Sequence, residues 1–240
     1  MNKAIVRMLT GLIAIALLGL AARVSMADTK DTENKRLRNS GQVLGEIMNI
    51  PDNIPHNLLD RARCVVVIPS VLKAAFGVGG SYGRGAMVCR TGHDFKGSWG
   101  APSMMVLEGG SFGFQIGGQA TDFVLLVMND RGASSLLHSK VKLGADATAA
   151  AGPVGRAAEA DTDATMRAEI LTYSRARGAF AGVSLEGATL HPDKEGNEAL
   201  YGQGVTAEQI VFSGSTPTPQ AANELISILQ KASPQERAER

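Results

Sequence analysis

Two stretches of this chain alternate glycine or serine with larger residues at a period of two, and no other feature restricts the fold as strongly. In the first, Gly77, Gly79, Ser81, Gly83 and Gly85 share one face, opposite Phe76, Val78, Tyr82, Ala86 and Val88. In the second, Gly109, Ser111, Gly113, Gln115 and Gly117 lie opposite Gly110, Phe112, Phe114, Ile116 and Gly118. A period of two is that of a strand. Glycine is entropically costly inside a strand, so a row of it implies close backbone approach, a bend or a bulge. The run from Phe123 to Met128 is apolar without alternation and too short for an ordinary helix, which suits a strand buried on both faces. Glycine-lined strands of this kind predict a strongly curved sheet or partial barrel.

The 240 residues suffice for one sizeable domain. Lys3 and Arg7 precede an apolar run from Met8 to Leu20, and Ser25 and Ala27 stand as the small residues of a cleavage site, so residues 1–27 have the three regions of a secretory signal peptide. Removing them takes away Lys3, Arg7 and Arg23, and the net charge moves from +1 to +1 − 3 = −2. A slightly acidic mature chain argues against a general nucleic-acid binder, which carries a basic excess. Cys64 and Cys89 each adjoin an apolar, strand-like segment, and an oxidising address makes a disulfide between them reasonable, with a pair of buried free thiols as the alternative. Two cysteines and the scattered His56, His93, His138 and His191 have no metal-ligand spacing, and no cofactor motif is present.

Residues Asp31 to Ile50 read as a helix with an apolar stripe of Leu37, Val43, Leu44, Ile47 and Met48, basic at Lys35, Arg36 and Arg38 and weakened by Gly41 and Gly45. The stripe suits packing on a core or on a membrane surface. A short helix is expected from Pro55 to Ala62 and a strand from Cys64 to Ile68, where Pro69 stops the pairing. Further on, Ala133 to Ser139 reads as a short helix, Leu143 to Arg156 as a strand and tight loop, and Gly178 to Leu190 as one strand. Helices follow near Glu195 to Tyr201, after Thr206, and from Ala221 to Lys231.

Three motifs invite chemistry. Gly109 to Gly113 satisfies G-x-S-x-G, which would make Ser111 an esterase nucleophile with His138 or His191 as its base, yet the surroundings read as strand and the chain lacks repeated β-α units. The glycines from 77 to 85 miss the dinucleotide spacing because Tyr82 stands where glycine is needed. The carboxylate pairs Asp161 and Asp163, and Asp193 and Glu195, lie in segments that read as solvated turns or caps. Trp99, between Gly97 and Gly100, suits a core plug better than an interfacial anchor. No residue is therefore assigned a catalytic role.

Five segments together carry a family resemblance: GSWGAPS (97–103), GFQIGGQATDFVLLV (113–127), AAGPVGR (150–156), YSRARGAFAGVSLEGA (173–188) and YGQGVTAEQI (201–210). In this order they resemble the SYLF domain, over about Lys35 to Phe212. The resemblance implies non-catalytic binding of anionic phospholipid, with contributions from the basic N-terminal helix carrying Lys35, Arg36 and Arg38, and from Arg63 and Lys73 around the first strand. Eukaryotic members also bind actin, commonly beside an SH3 domain. For a chain with a secretory segment the resemblance implies the periplasm or cell envelope, where actin is an unlikely partner and a protein partner of other kind is the alternative function.

The expectation is thus a signal peptide (1–27), an α+β domain (28–214) with a curved, glycine-rich, mainly antiparallel sheet or partial barrel and peripheral helices, and a C-terminal helix and tail (215–240). Its helix Asp31 to Ile50 would lay the apolar stripe on a membrane while basic side chains meet headgroups.

Overall fold

The computed structural model describes residues 29–76, 78–92, 94–111, 119–155, 167–176 and 179–234. The segment read as a signal peptide lies outside them, as do Gly113 to Gly118, Asp161 and Asp163. The order of elements is α1 (29–48), α2 (His56–Arg61), β1 (Cys64–Phe76), β2 (Val78–Cys89), β3 (Ser103–Ser111), β4 (Gln119–Val127), α3 (Asp130–His138), β5 (Val141–Lys142), β6 (Ala149–Ala151), β7 (Ile170–Ala176), β8 (Ala179–Gly182), β9 (Thr189–Pro192), α4 (Lys194–Tyr201), α5 (Ala207–Phe212) and α6 (Asn223–Ala232).

The strands form one sheet in the order β5-β9-β3-β2-β1-β4-β7-β6, with β8 also on β7. Every pairing is antiparallel except β6 with β7. The segment read as one strand from Gly178 to Leu190 is two, because the turn through Gly187, with φ of 84°, breaks it. The two pieces sit at opposite ends of the sheet order, joined only by residues 183–188. Six strand spacings in a flat sheet would separate them by roughly 29 Å. The seven steps from Gly182 to Thr189 reach about 25 Å at full stretch. Only a curled sheet closes that distance, and the architecture is accordingly an open, antiparallel-dominated half-barrel with helices on both faces.

One face carries Val65, Val67, Ala86, Val88, Met104, Val124 and Leu126, covered by α1, α2 and α6. The other carries Val66, Ile68, Met87, Met105, Leu107, Phe123 and Leu125, covered by α3 and α5. Strands buried on both faces need apolar residues at every position, which explains the unalternating runs Cys64–Ile68 and Phe123–Val127. Cys64 and Cys89 face each other across β1 and β2 and are bridged. Trp99 is a core plug whose Nε1 donates to the Ser233 carbonyl at 3.0 Å, beneath the Arg90 guanidinium at 4.4 Å.

Helix caps follow local chemistry. The Asn129 side chain accepts from the Gly132 N–H to start α3, and Thr206 and Gln209 form a reciprocal capping box on α5. Asp193 caps α4, but it is buried rather than solvated.

Helix α1 turns its stripe inward: Leu37, Val43, Leu44 and Ile47 are all buried against the sheet and α6. Each such side chain contributes about 1.5–3 kcal/mol. A basic residue near an anionic surface contributes about 1 kcal/mol. The stripe therefore stays on the core, and the expectation that it lies on a membrane is corrected. Gly41 and Gly45, which weaken the helix locally, are explained by α6: a Cβ on Gly41 would stand 3.0 Å from the Leu225 nitrogen, and one on Gly45 would stand 3.2 Å from Ile228 Cδ1.

Candidate functional site: a bulged strand beside a basic helix

Pro69 does not end β1. It lacks the N–H that a regular ladder needs, and the strand absorbs it in a bulge. Between the pairs Val67↔Ala86 and Leu72↔Tyr82, β1 advances five residues while β2 advances four. On the other side, between Ile68↔Phe123 and Val71↔Thr121, β1 advances three and β4 two. One extra residue moves every later side chain to the opposite face. Ile68 and Val71 consequently share the α3 side, and Leu72 is placed beside Tyr82 on the α1 side.

The bulge is built in. Ser70 has a left-handed φ of 52°, and its N–H donates to Asp122 Oδ1 at 2.8 Å. Asp122 in turn accepts from Arg175, whose guanidinium also pairs with Glu46 of α1. The Arg175 hydrogen bond is the main cause that holds the Glu46 carboxyl below the usual carboxylate range, with Gln42 second. Across from the bulge, only glycine fits: a Cβ on Gly83 would lie 2.5 Å from Val71 Cγ2, and one on Gly85 2.0 Å from the Val67 carbonyl oxygen. This is the close approach that the alternating glycines imply.

Leu72 and Tyr82 are 63% and 52% exposed, and they are the large hydrophobic residues left uncovered among the described residues. They border a cavity of about 250 Å³ that is also lined by Arg36, Asn39, Pro69, Ser70, Gly83 and Arg84. Behind it runs a charge chain: Arg36 pairs with Glu33, Glu33 meets Arg84 at 3.4 Å, and Arg84 pairs with Asp193. Burial opposes the Arg84 charge, but Asp193 and Glu33 outweigh it and hold the guanidinium protonated. Glu33 is fully buried, and its Oε2 has no hydrogen-bond partner among the described residues.

The five basic residues singled out from sequence do not converge. Arg36 faces the Leu72–Tyr82 cavity. Arg38 lines a different cavity with Lys30, Leu200 and Pro217, and Lys35 is exposed. Arg63 holds Asp130 at 2.7 Å, just before β1 begins. Lys73 follows Leu72 on β1, paired in register with Ser81 and Gln119, so ten residues, or roughly 30 Å of strand, separate it from Arg63. Sequence reasoning missed Leu72, Tyr82 and Arg84. The Pro69 in a strand-like run was the signal for the bulge, but it does not say which side chains the bulge exposes.

Ser111 ends β3 opposite Gly79. His191 lies opposite Val106, five residues or roughly 17 Å along the same strand, and is held by Glu108. His138 is held by Glu208. A serine–histidine pair is therefore not assembled from His191, and both histidines are engaged elsewhere.

The profile of the Ysc84 family, described as Las17-binding protein actin regulator, matches residues 108–232. The human SH3 domain-containing YSC84-like protein 1 is 38% identical over 183 residues, covering 75% of this chain and 52% of that protein. Protein YSC84 of Saccharomyces cerevisiae is 36% identical over 180 residues, covering 74% of this chain and 37% of its own length. LAS seventeen-binding protein 3 of the same yeast is 35% identical over 180 residues, covering 74% and 38%. The chain thus spans about half of the human protein's length and less of the yeast proteins'. The description of the matching family as an actin regulator overturns the expectation that actin is an unlikely partner.

Proposed function

The chain belongs to the Ysc84 family of SYLF proteins, and on that premise we propose that it is a non-catalytic binding module that docks on an anionic phospholipid surface. The observation that carries this reading is the exposure of Leu72 and Tyr82 side by side, next to Arg36 and Arg84 and on the α1 side that also bears Lys35. An apolar pair rimmed by cations inserts at the headgroup boundary while the charges meet phosphate. The mature chain is slightly acidic, so the attraction is local and weakens with salt. The pattern of residues 1–27 and the Cys64–Cys89 bridge support a periplasmic or envelope address. Among the described residues no helix is long and apolar enough to cross a membrane.

Co-sedimentation of the chain with phosphatidylcholine vesicles, with and without phosphatidylglycerol, tests the proposal. Binding to the anionic vesicles alone is expected, with loss in the Leu72→Ser/Tyr82→Ser variant. Replacing Lys35 by Gln removes about 1 kcal/mol, roughly fivefold, and flattens the salt dependence. Equal binding to both vesicles, or indifference to Leu72→Ser/Tyr82→Ser, overturns it.

A second reading follows from the printed names of the relatives: a protein partner, Las17-like or actin itself, takes the same surface. Co-sedimentation with filamentous actin in place of vesicles, using the same variants, separates the two.

A further inference from the structure

A second cavity, of about 450 Å³, opens at the β5–β9 edge of the sheet, where α3, α4 and the loop before α5 converge. Its walls are mainly apolar, from Leu137, Pro192, Val205 and Ala207, with Ser139, Asn197 and Thr206 among them. Its rim carries Lys140 and Lys194 together with His138 and His191. A cavity of this size with apolar walls and a few convergent polar groups has the build of a small-molecule site.

The two histidines are held alike. His138 sets Nδ1 against the Ser134 carbonyl at 2.7 Å and Nε2 against Glu208 at 3.1 Å. His191 sets Nδ1 against the Pro192 carbonyl at 3.0 Å and Nε2 against Glu108 at 3.1 Å. Both rings are thereby fixed at the rim. Lys194 touches Glu198 only at 3.9 Å, and Lys140 is exposed. The lining of the cavity carries Lys140 and Lys194 and, among the described residues, no carboxylate, since Glu108, Glu198 and Glu208 meet the histidines and Lys194 without lining it; two lysine charges therefore stand at the mouth of a largely apolar pocket.

We propose that this cavity binds a medium-chain fatty acid, with the carboxylate at the Lys140, Lys194 and histidine rim and the alkyl chain along Leu137, Val205 and Ala207. Charge complementarity with Lys140 and Lys194 selects the carboxylate head, and the mainly apolar wall selects an aliphatic tail. The site is distinct from the Leu72–Tyr82 surface and does not depend on membrane docking.

Calorimetric titration of the full chain with monomeric octanoate, and with octanol as its neutral counterpart, tests this. Octanoate is expected to bind saturably and at least about tenfold more tightly than octanol, a difference of about 1.4 kcal/mol. The Lys140→Gln/Lys194→Gln variant, altered only at exposed positions, abolishes the preference for octanoate while keeping the fold by circular dichroism. Octanol binding as tightly as octanoate, or a preference that survives the double lysine variant, overturns the proposal and leaves the cavity an apolar docking groove. No saturable octanoate binding overturns it as well.

Discussion

The two halves of β1 are made of similar residues and end in opposite roles. From Cys64 to Ile68 every side chain is buried, the register with β2 is unbroken, and a disulfide joins the strand to its neighbour. Beyond the bulge at Pro69 and Ser70 the same strand buries Val71 and turns Leu72 out to solvent beside Tyr82. Composition does not separate the halves; a single extra residue does, because the period of a strand is two and an odd insertion exchanges its faces. The first half holds the barrel together, and the second supplies the surface on which binding is proposed.

Disturbing the bulge from across the sheet has the largest expected effect. Gly85→Val would drive a Cβ into the Val67 carbonyl oxygen, which lies 2.0 Å from that position. Backbone cannot yield as a side chain can, so a loss of about 3 kcal/mol or more in urea unfolding is expected; wild-type stability would show that the two strands part without cost. Next comes the bridge of the buried half. Cys64 and Cys89 are 25 residues apart. Replacing both by Ala is expected to cost about 3 kcal/mol, read from the same unfolding curves, and to leave vesicle binding unchanged. If vesicle binding fell instead, the two halves would not be independent.

Asp122→Asn sharpens the comparison more finely, since it weakens the acceptor for the Ser70 N–H and the Arg175 guanidinium together. A loss of about 1–3 kcal/mol is expected, with the hydrogen exchange of residues 69–72 speeding up while that of 64–68 does not. The smallest effect is at Glu46, whose folded carboxyl is held below its ordinary value by Arg175. A depressed carboxylate contributes stability above its unfolded value and loses it as pH falls through the folded one. Wild type should therefore lose slightly more thermal stability than Glu46→Gln below about pH 4. Glu46 is exposed and its charge screened by water, so the difference is small. Parallel melting curves for the two proteins would show that the contact adds nothing.

Much of the frame was legible from residues alone. The run Phe123 to Met128 read as a strand buried on both faces, and residues 123–127 of it are so; Cys64 to Ile68 read as a strand, and the alternation of Gly83 and Gly85 foretold a close backbone approach. Thr206 marked the start of its helix because a cap is settled by three or four neighbouring residues, whereas the helix read from Ala133 begins at Asp130 behind its cap Asn129. The segment from Gly178 to Leu190 misled because alternation reports an extended backbone and not its partner. Only the curl of the sheet sends β8 and β9 to different edges.

The candidate sites were the least legible part. The chain from Arg36 through Glu33 and Arg84 to Asp193 joins residues of α1, β2 and the start of α4, and the second cavity gathers His138 and His191 from α3 and β9. Neither assembly has a spacing that a sequence displays.

By itself, then, the sequence determined period, the cap at Thr206, the doubly buried strand from Phe123, the apolar stripe of α1 and the family. These rest on neighbours in the chain or on long matched segments. Tertiary structure alone decided which way each face turned: that the α1 stripe meets the core, that Leu72 emerges beside Tyr82, and that Arg38 and Arg63 stand apart from Arg36. The physical reason is that facing depends on register and on what lies opposite, and one bulge residue, held by Asp122 across the sheet, reverses it.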